Sequence, residues 1–126
     1  MSDGGEGRFP SAMRVKKRDD FRAIYRKGVE WKGSCLSLRV LTRSDAIHRG
    51  SLPRLGIVVS KKWGSAVERN RVKRRIREAF RRCAFRLPAV DILVKPRDAC
   101  RDVDIDRLAS SLVEGVKVST KMEVDG

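Results

Sequence analysis

Residues 65 to 83 commit this chain to one particular helix. Ser65 is followed three positions later by Glu68, the capping-box arrangement in which the serine side chain accepts from the third amide and the glutamate bonds back to the cap residue's N–H. Beyond that start, Val72, Ile76, Ala79, Phe80 and Cys83 recur at three- and four-residue spacing and so share one helical face. Such a stripe must be covered by a second layer, and the rest of the chain has to supply it.

The remaining surface of this helix is cationic. From Lys61 to Arg86, eleven Lys and Arg face only Glu68 and Glu78, so this stretch holds nine of the chain's fourteen net positive charges. A solvated helix face ordinarily interleaves acids with bases one turn apart. Here the bases stand nearly alone and repel one another, which calls for a counter-charged partner, most commonly nucleic-acid phosphate. At 100° per residue, Arg69, Lys73, Arg77, Arg81 and Arg74 sweep from the edge of the apolar stripe to its back. The stripe should pack inward and the basic arc should face out.

With 126 residues, 40% of them apolar, the chain has material for one domain with one modest core. Residues 1–12, rich in Gly, read as a flexible segment, 13–118 as a single α/β domain that carries the basic helix, and 119–126 as a short tail. Asp19 and Asp20 precede Phe21, Ile24 and Tyr25, and Gly28 follows, describing a short helix with an acidic start and a glycine stop. From Cys35 to Leu41, Leu36, Leu38 and Val40 alternate with Ser37 and Arg39, the period of a strand; Glu30 to Lys32 either prolongs it or forms another. Thr42 to Pro53 reads as a loop, and Leu55 to Val59 as a second β-rich run, placed more centrally. Val90 to Val94 gives a strand between two prolines, and Ile105, Leu108, Ala109, Leu112, Val113 and Val116 describe a last helix near 104–116. The order is α, β, β, α, β, α.

Protein-borne catalysis finds no support in the residues. The single histidine, His48, sits in a polar stretch, and Cys35, Cys83 and Cys100 have no paired metal-ligand spacing. Asp102, Asp104 and Asp106 alternate but lack the glycine and distal glutamate of a calcium loop, so they read as helix-start acids. No catalytic residue and no protein metal site is expected. The chain has no apolar run of membrane-spanning length and no signal-peptide layout, so a cytoplasmic location is expected. Phe21 and Tyr25 lie one turn apart among Arg18, Arg22 and Arg26. They are either a stacking surface for unpaired bases or two core rings, and both readings stay open.

Ser60-Lys61-Lys62 followed by Ala66-Val67-Glu68-Arg69-Asn70-Arg71-Val72-Lys73-Arg74-Arg75-Ile76-Arg77-Glu78 closely resembles the signature of the bacterial ribonuclease P protein component. The likeness extends back through Val15 to Gly28 and forward to Asp91-Ile92-Leu93-Val94-Lys95, covering about residues 13 to 116. The resemblance implies an accessory subunit that binds a catalytic RNA and assists its magnesium-dependent removal of the 5′ leader from precursor tRNA. The ion belongs to the RNA active site. It further implies that Arg69, Asn70, Arg71, Lys73, Arg74 and Arg77 face the catalytic RNA, and that Phe21 and Tyr25, with Lys61 and Lys62 nearby, meet the leader. The implied fold is α+β: about three helices on a mixed sheet of about four strands, with a left-handed β-α-β crossover, the reverse of the usual hand.

Two other classes share the charge and size. A ribosomal-protein-like RNA binder has no reason to join this basic helix to an aromatic pair. A DNA-binding module would pack its recognition helix against a partner helix after a short turn, whereas this helix follows a strand. Membrane and DNA partners are accordingly not expected.

Overall fold

The computed structural model describes residues 13–42 and 52–125; His48 and the segment 1–12 lie outside them. The elements run α1 (Arg18–Lys27), β1 (Val29–Lys32), β2 (Leu36–Thr42), β3 (Arg54–Ile57), α2 (Ala66–Cys83), β4 (Val90–Pro96) and α3 (Ile105–Asp125). The strands form one mixed sheet in the order β1-β2-β4-β3. β1 pairs antiparallel with β2 and β2 antiparallel with β4, while β3 runs parallel to β4. Since β3 and β4 are parallel neighbours, α2 is the crossover between them, as a parallel pair requires.

Alternation sends each strand's residues to two different layers. Leu36, Leu38 and Val40 of β2, Leu55 of β3 and Ile92 and Val94 of β4 join Val72, Ile76, Ala79 and Phe80 of α2 and Leu108, Leu112 and Val116 of α3 in the main core. Burying a side chain such as Ile76 or Phe80 contributes about 1.5–3 kcal/mol, so the stripe on α2 anchors that layer. The opposite sheet face carries a smaller cluster of Val15, Ile24 and Leu93, with Phe21 and Leu41 packed against it. That face is covered by α1 and by Val15 of the segment before it, and is open beyond them.

Several expectations need correction. β3 is an edge strand, whereas its apolar run reads as central; both of its faces are covered and its free edge is bridged by Arg14, with the Val15 amide donating to the Leu55 carbonyl at 3.0 Å. An edge concealed on every side has the composition of a centre. Of the two readings left open for Glu30 to Lys32, the separate strand holds: it is the outer half of a hairpin with β2. α3 continues through the expected tail to Asp125. No Gly or Pro follows Val116 until the last residue, Ser119 is buried, and the Thr120 hydroxyl donates back to the Val116 carbonyl at 2.9 Å.

Gly28 does end α1, but at φ −72° it is not in the left-handed region. Its role is proximity: a Cβ there would lie 2.5 Å from the Ile24 carbonyl oxygen. Gly64 differs, since its φ of 154° is one that L side chains rarely adopt, and a Cβ would fall 2.3 Å from Glu68 Oε1. Only glycine lets the chain turn into α2 with the capping box closed.

Candidate nucleic-acid interface

The capping box forms as expected. Ser65 Oγ accepts from the Glu68 amide at 3.2 Å, and Glu68 Oε1 accepts from the Ser65 amide at 2.9 Å. Ser65's hydrogen bonds, with Arg101 and Arg71 nearby, hold the Glu68 carboxyl below its ordinary value. It is a fixed acceptor on a cationic helix.

With Val72 and Ile76 pointing into the core, the polar and basic side chains divide into three groups. Asn70, Arg74 and Arg81 are exposed on the outermost line. Arg69, Lys73 and Arg77, all half-buried, form the flank toward α1; Arg69 Nη1 donates to the Gly64 carbonyl at 2.7 Å and so fastens the helix entry. Arg71 and Arg75 form the other flank, toward the turn before α3. Lys61 and Lys62 are exposed in a 3₁₀ turn, Lys61–Trp63, between β3 and α2.

The α1 flank opens onto a cleft lined by Arg14, Val15, Phe21, Gly56, Lys73 and Arg77, among others. Burial lowers the Arg77 pKa, and the positive charges of Arg14 and Arg74 lower it further. Neighbouring cations with this effect make the cleft a place where an anion is stabilised. Phe21 belongs to its wall and also to the small cluster on Leu93, so the ring serves both packing and surface. Gly56 permits this, because a Cβ there would meet Phe21 Cε1 at 2.9 Å and Leu93 Cδ2 at 2.8 Å.

Tyr25 lies farther along α1, 42% exposed, beside a second hollow with Ser37, Arg39, Leu93 and Lys95. The Arg39 guanidinium carbon sits 5.9 Å from its ring centroid, within reach of a cation–π contact. Phe21 and Tyr25 therefore front two adjoining hollows on one open sheet face. The sequence pairs them; the structure spreads them along α1, with Arg39 and Lys95 as basic neighbours that the alternation of β2 and β4 could have revealed.

Arg54 was missed altogether, because it adjoins a presumed loop. Buried under α1, it donates from Nε and Nη2 to both carboxylate oxygens of Asp91, at 2.8 and 2.7 Å, and from Nη1 to Asp20 on α1 at 3.3 Å. This ties the helix bearing Phe21 and Tyr25 to the centre of the sheet.

Among the described residues, no cluster of three His, Cys, Asp or Glu side chains is arranged to hold a metal ion. Asp104 Oδ1 accepts from the Arg107 amide at 2.8 Å at the start of α3, and Asp106 pairs with Arg82 at 3.0 Å. Their geometry is that of helix capping and a surface ion pair.

This arrangement matches known proteins over nearly the whole described chain. Residues 9–119 match the family model described as Ribonuclease P. A Staphylococcus epidermidis ribonuclease P protein component is 38% identical over 108 residues, spanning 86% of this chain and 90% of that one. A mutant Staphylococcus aureus RNase P protein superposes with a TM-score of 0.72 at 36% identity, covering 86% and 89% of the two chains. The Thermotoga maritima RNase P protein gives 0.69 at 30% identity, over 82% and 94%. With the same helices on the same four-stranded sheet and the Arg-Asn-Arg helix as its crossover, the chain belongs to the ribonuclease P protein family.

Proposed function

We infer that this chain is the protein subunit of ribonuclease P, the ribonucleoprotein endonuclease in which RNA carries the catalysis and the protein assists removal of 5′ leaders from precursor tRNA. The observation that carries this is the joining of two surfaces through one helix. The outer line and flanks of α2 offer cations to a folded RNA, while Lys73 and Arg77 also reach the cleft where Phe21 stands. One RNA surface and one single-stranded segment can thus be held side by side.

On this reading Arg69, Asn70, Arg71, Lys73, Arg74 and Arg77 meet the catalytic RNA. The leader follows the open sheet face, with Phe21 and Tyr25 offering ring surfaces to its bases and Lys61 and Lys62 near the C-terminal end of β3 meeting phosphates. Stacking contributes about 1–3 kcal/mol per base and tolerates any sequence, which suits leaders of varied composition. The metal ions of the reaction are magnesium held by the RNA; the protein's cations neutralise phosphate that divalent ions would otherwise screen. We place this activity in the cytoplasm, with no DNA or membrane partner.

The test is reconstitution. Mixing the protein with a bacterial ribonuclease P RNA at low magnesium should restore leader cleavage, and the benefit should shrink as magnesium rises. Failure to stimulate cleavage at any magnesium concentration would sink the assignment.

A further inference from the structure

On the flank of α2 facing away from the leader cleft, Trp63, Glu68, Arg71, Val72, Arg75 and Arg101 enclose a hollow of about 140 Å³. A closed cavity of about this size holds one benzene ring; this hollow is open to solvent, so a two-ring base can seat one ring in it and extend the other from its mouth. Arg101 covers Trp63, its guanidinium carbon 3.8 Å from the ring centroid, and is held there by donating to the Trp63 carbonyl oxygen. Arg75 is fixed from behind, with both Nη atoms donating to backbone carbonyls, those of Cys100 and Val103. Arg71 is exposed and, among the described residues, donates no hydrogen bond of its own. Glu68 Oε1 accepts one bond in the capping box and keeps a second lone pair, so both carboxylate oxygens remain acceptors, held in the ionised form.

We propose that this hollow binds one unstacked guanine of an RNA strand, with the base on the Trp63–Arg101 plane, its Watson–Crick edge on Glu68 and its O6 on Arg71. The proposal rests on the reading of the chain as an RNA-binding subunit and adds a base preference to it.

The chemistry distinguishes the four bases. Unpaired bases stack on aromatic and arginine planes and are read along their free edges. Guanine alone presents two adjacent donors, N1–H and an N2 hydrogen, on one edge, matching an acceptor-only carboxylate. Adenine and cytosine place a ring-nitrogen acceptor beside their amino group, which the carboxylate repels. Uracil has one donor between two carbonyls. Arg71 then suits O6, and the preference is fixed by Glu68 because a carboxylate has nothing to donate.

The test uses the full chain carrying Tyr25→Ala, which weakens stacking in the leader cleft, and fluorescein-labelled UUGU, UUAU, UUCU and UUUU. UUGU should bind roughly five- to 150-fold more tightly than the others, the range of one bidentate base contact. Glu68→Gln keeps the helix start, since Gln also serves at that capping position. It should raise affinity for UUAU, UUCU and UUUU by removing a negative charge, while UUGU loses its contact and the guanine preference disappears. Arg101→Ala should weaken all four. Equal binding of the four probes, no binding, or a preference that survives Glu68→Gln overturns the pocket. Leader cleavage by the reconstituted wild-type protein is scored alongside: its absence sinks the subunit assignment even if the preference stands, whereas loss of the preference with cleavage intact sinks only the pocket.

Discussion

Arg54 and Asp91 form a two-pronged pair inside the sheet face beneath α1, at 2.8 and 2.7 Å, with Asp91 only 1% exposed. Removing one partner of such a buried pair strands the other charge and costs about 3–5 kcal/mol. Asp91→Ala should therefore lower the urea midpoint markedly. Because Arg54 also reaches Asp20 at 3.3 Å, Arg54→Ala should release α1 as well. It should weaken binding of leader-bearing precursor more than binding of the catalytic RNA, measured on the fraction still folded. Equal losses for both RNAs would separate the pair from the cleft.

The outer line of α2 can be altered without touching the core. Asn70 and Arg74 of this line and the neighbouring Arg71 of the flank are all exposed, so the triple alanine variant should keep its unfolding midpoint and lose affinity for the catalytic RNA. For every phosphate that the variant no longer neutralises, the slope of log affinity on log salt should flatten by about 0.7–0.9. Arg69 is a less clean choice, since its bond to the Gly64 carbonyl holds the helix entry. An unchanged slope would remove this line from the interface.

Tyr25 and Phe21 should behave differently when truncated. Tyr25→Ala, at an exposed ring, should reduce affinity for precursor by about 1–3 kcal/mol while leaving mature tRNA binding and thermal stability nearly unchanged. Phe21→Ala should cost stability in addition, because its ring packs on the Leu93 cluster.

Gly56→Ala tests the same wall from beneath. A new methyl 2.9 Å from Phe21 Cε1 must push the ring or Leu93 aside, at a cost of about 1–3 kcal/mol for overpacking. Leader affinity should fall while affinity for the catalytic RNA holds, as read by titration with each RNA.

Burial pushes the Cys83 and Cys100 thiols up from 9.0 to about 11. A thiol whose folded value lies above its unfolded value contributes stability that is fully present below the unfolded value. That contribution is lost as pH rises from about 9 to about 11, because the unfolded chain releases its proton first. Urea midpoints should fall across this window, less steeply in Cys83→Ala and Cys100→Ala. Iodoacetamide at pH 8 should label the folded protein slowly and the urea-unfolded protein readily.

Local features of the fold were legible where neighbouring residues define them. Ser65 and Glu68 announce the start of α2, the stripe from Val72 to Cys83 announces its buried face, and the alternation of Leu36, Leu38 and Val40 announces β2. Strand order was not legible, since the apolar run of β3 reflects how thoroughly it is covered and not its position in the sheet. Arg54 escaped notice because a charged residue beside Pro53 looks solvated until Asp91, distant in sequence, comes beneath it. Tyr25 and Phe21 were recognised as a pair, but helical spacing cannot tell which ring the sheet will partly bury. The Trp63–Arg101 contact joins residues on opposite sides of α2 in the chain, and no periodicity connects them.

The bridge from Arg14 to Leu55 has a consequence for the subunit before it meets RNA. An exposed strand edge is a template on which another chain can add. Here one edge is occupied by the protein's own Arg14–Val15 segment, while the other, β1, presents Glu30 and Lys32, both exposed. Charged side chains along a short edge discourage pairing with a second copy. A newly made chain is thus guarded against strand-to-strand self-association at both ends of its sheet, leaving the cationic surface of α2 open for assembly.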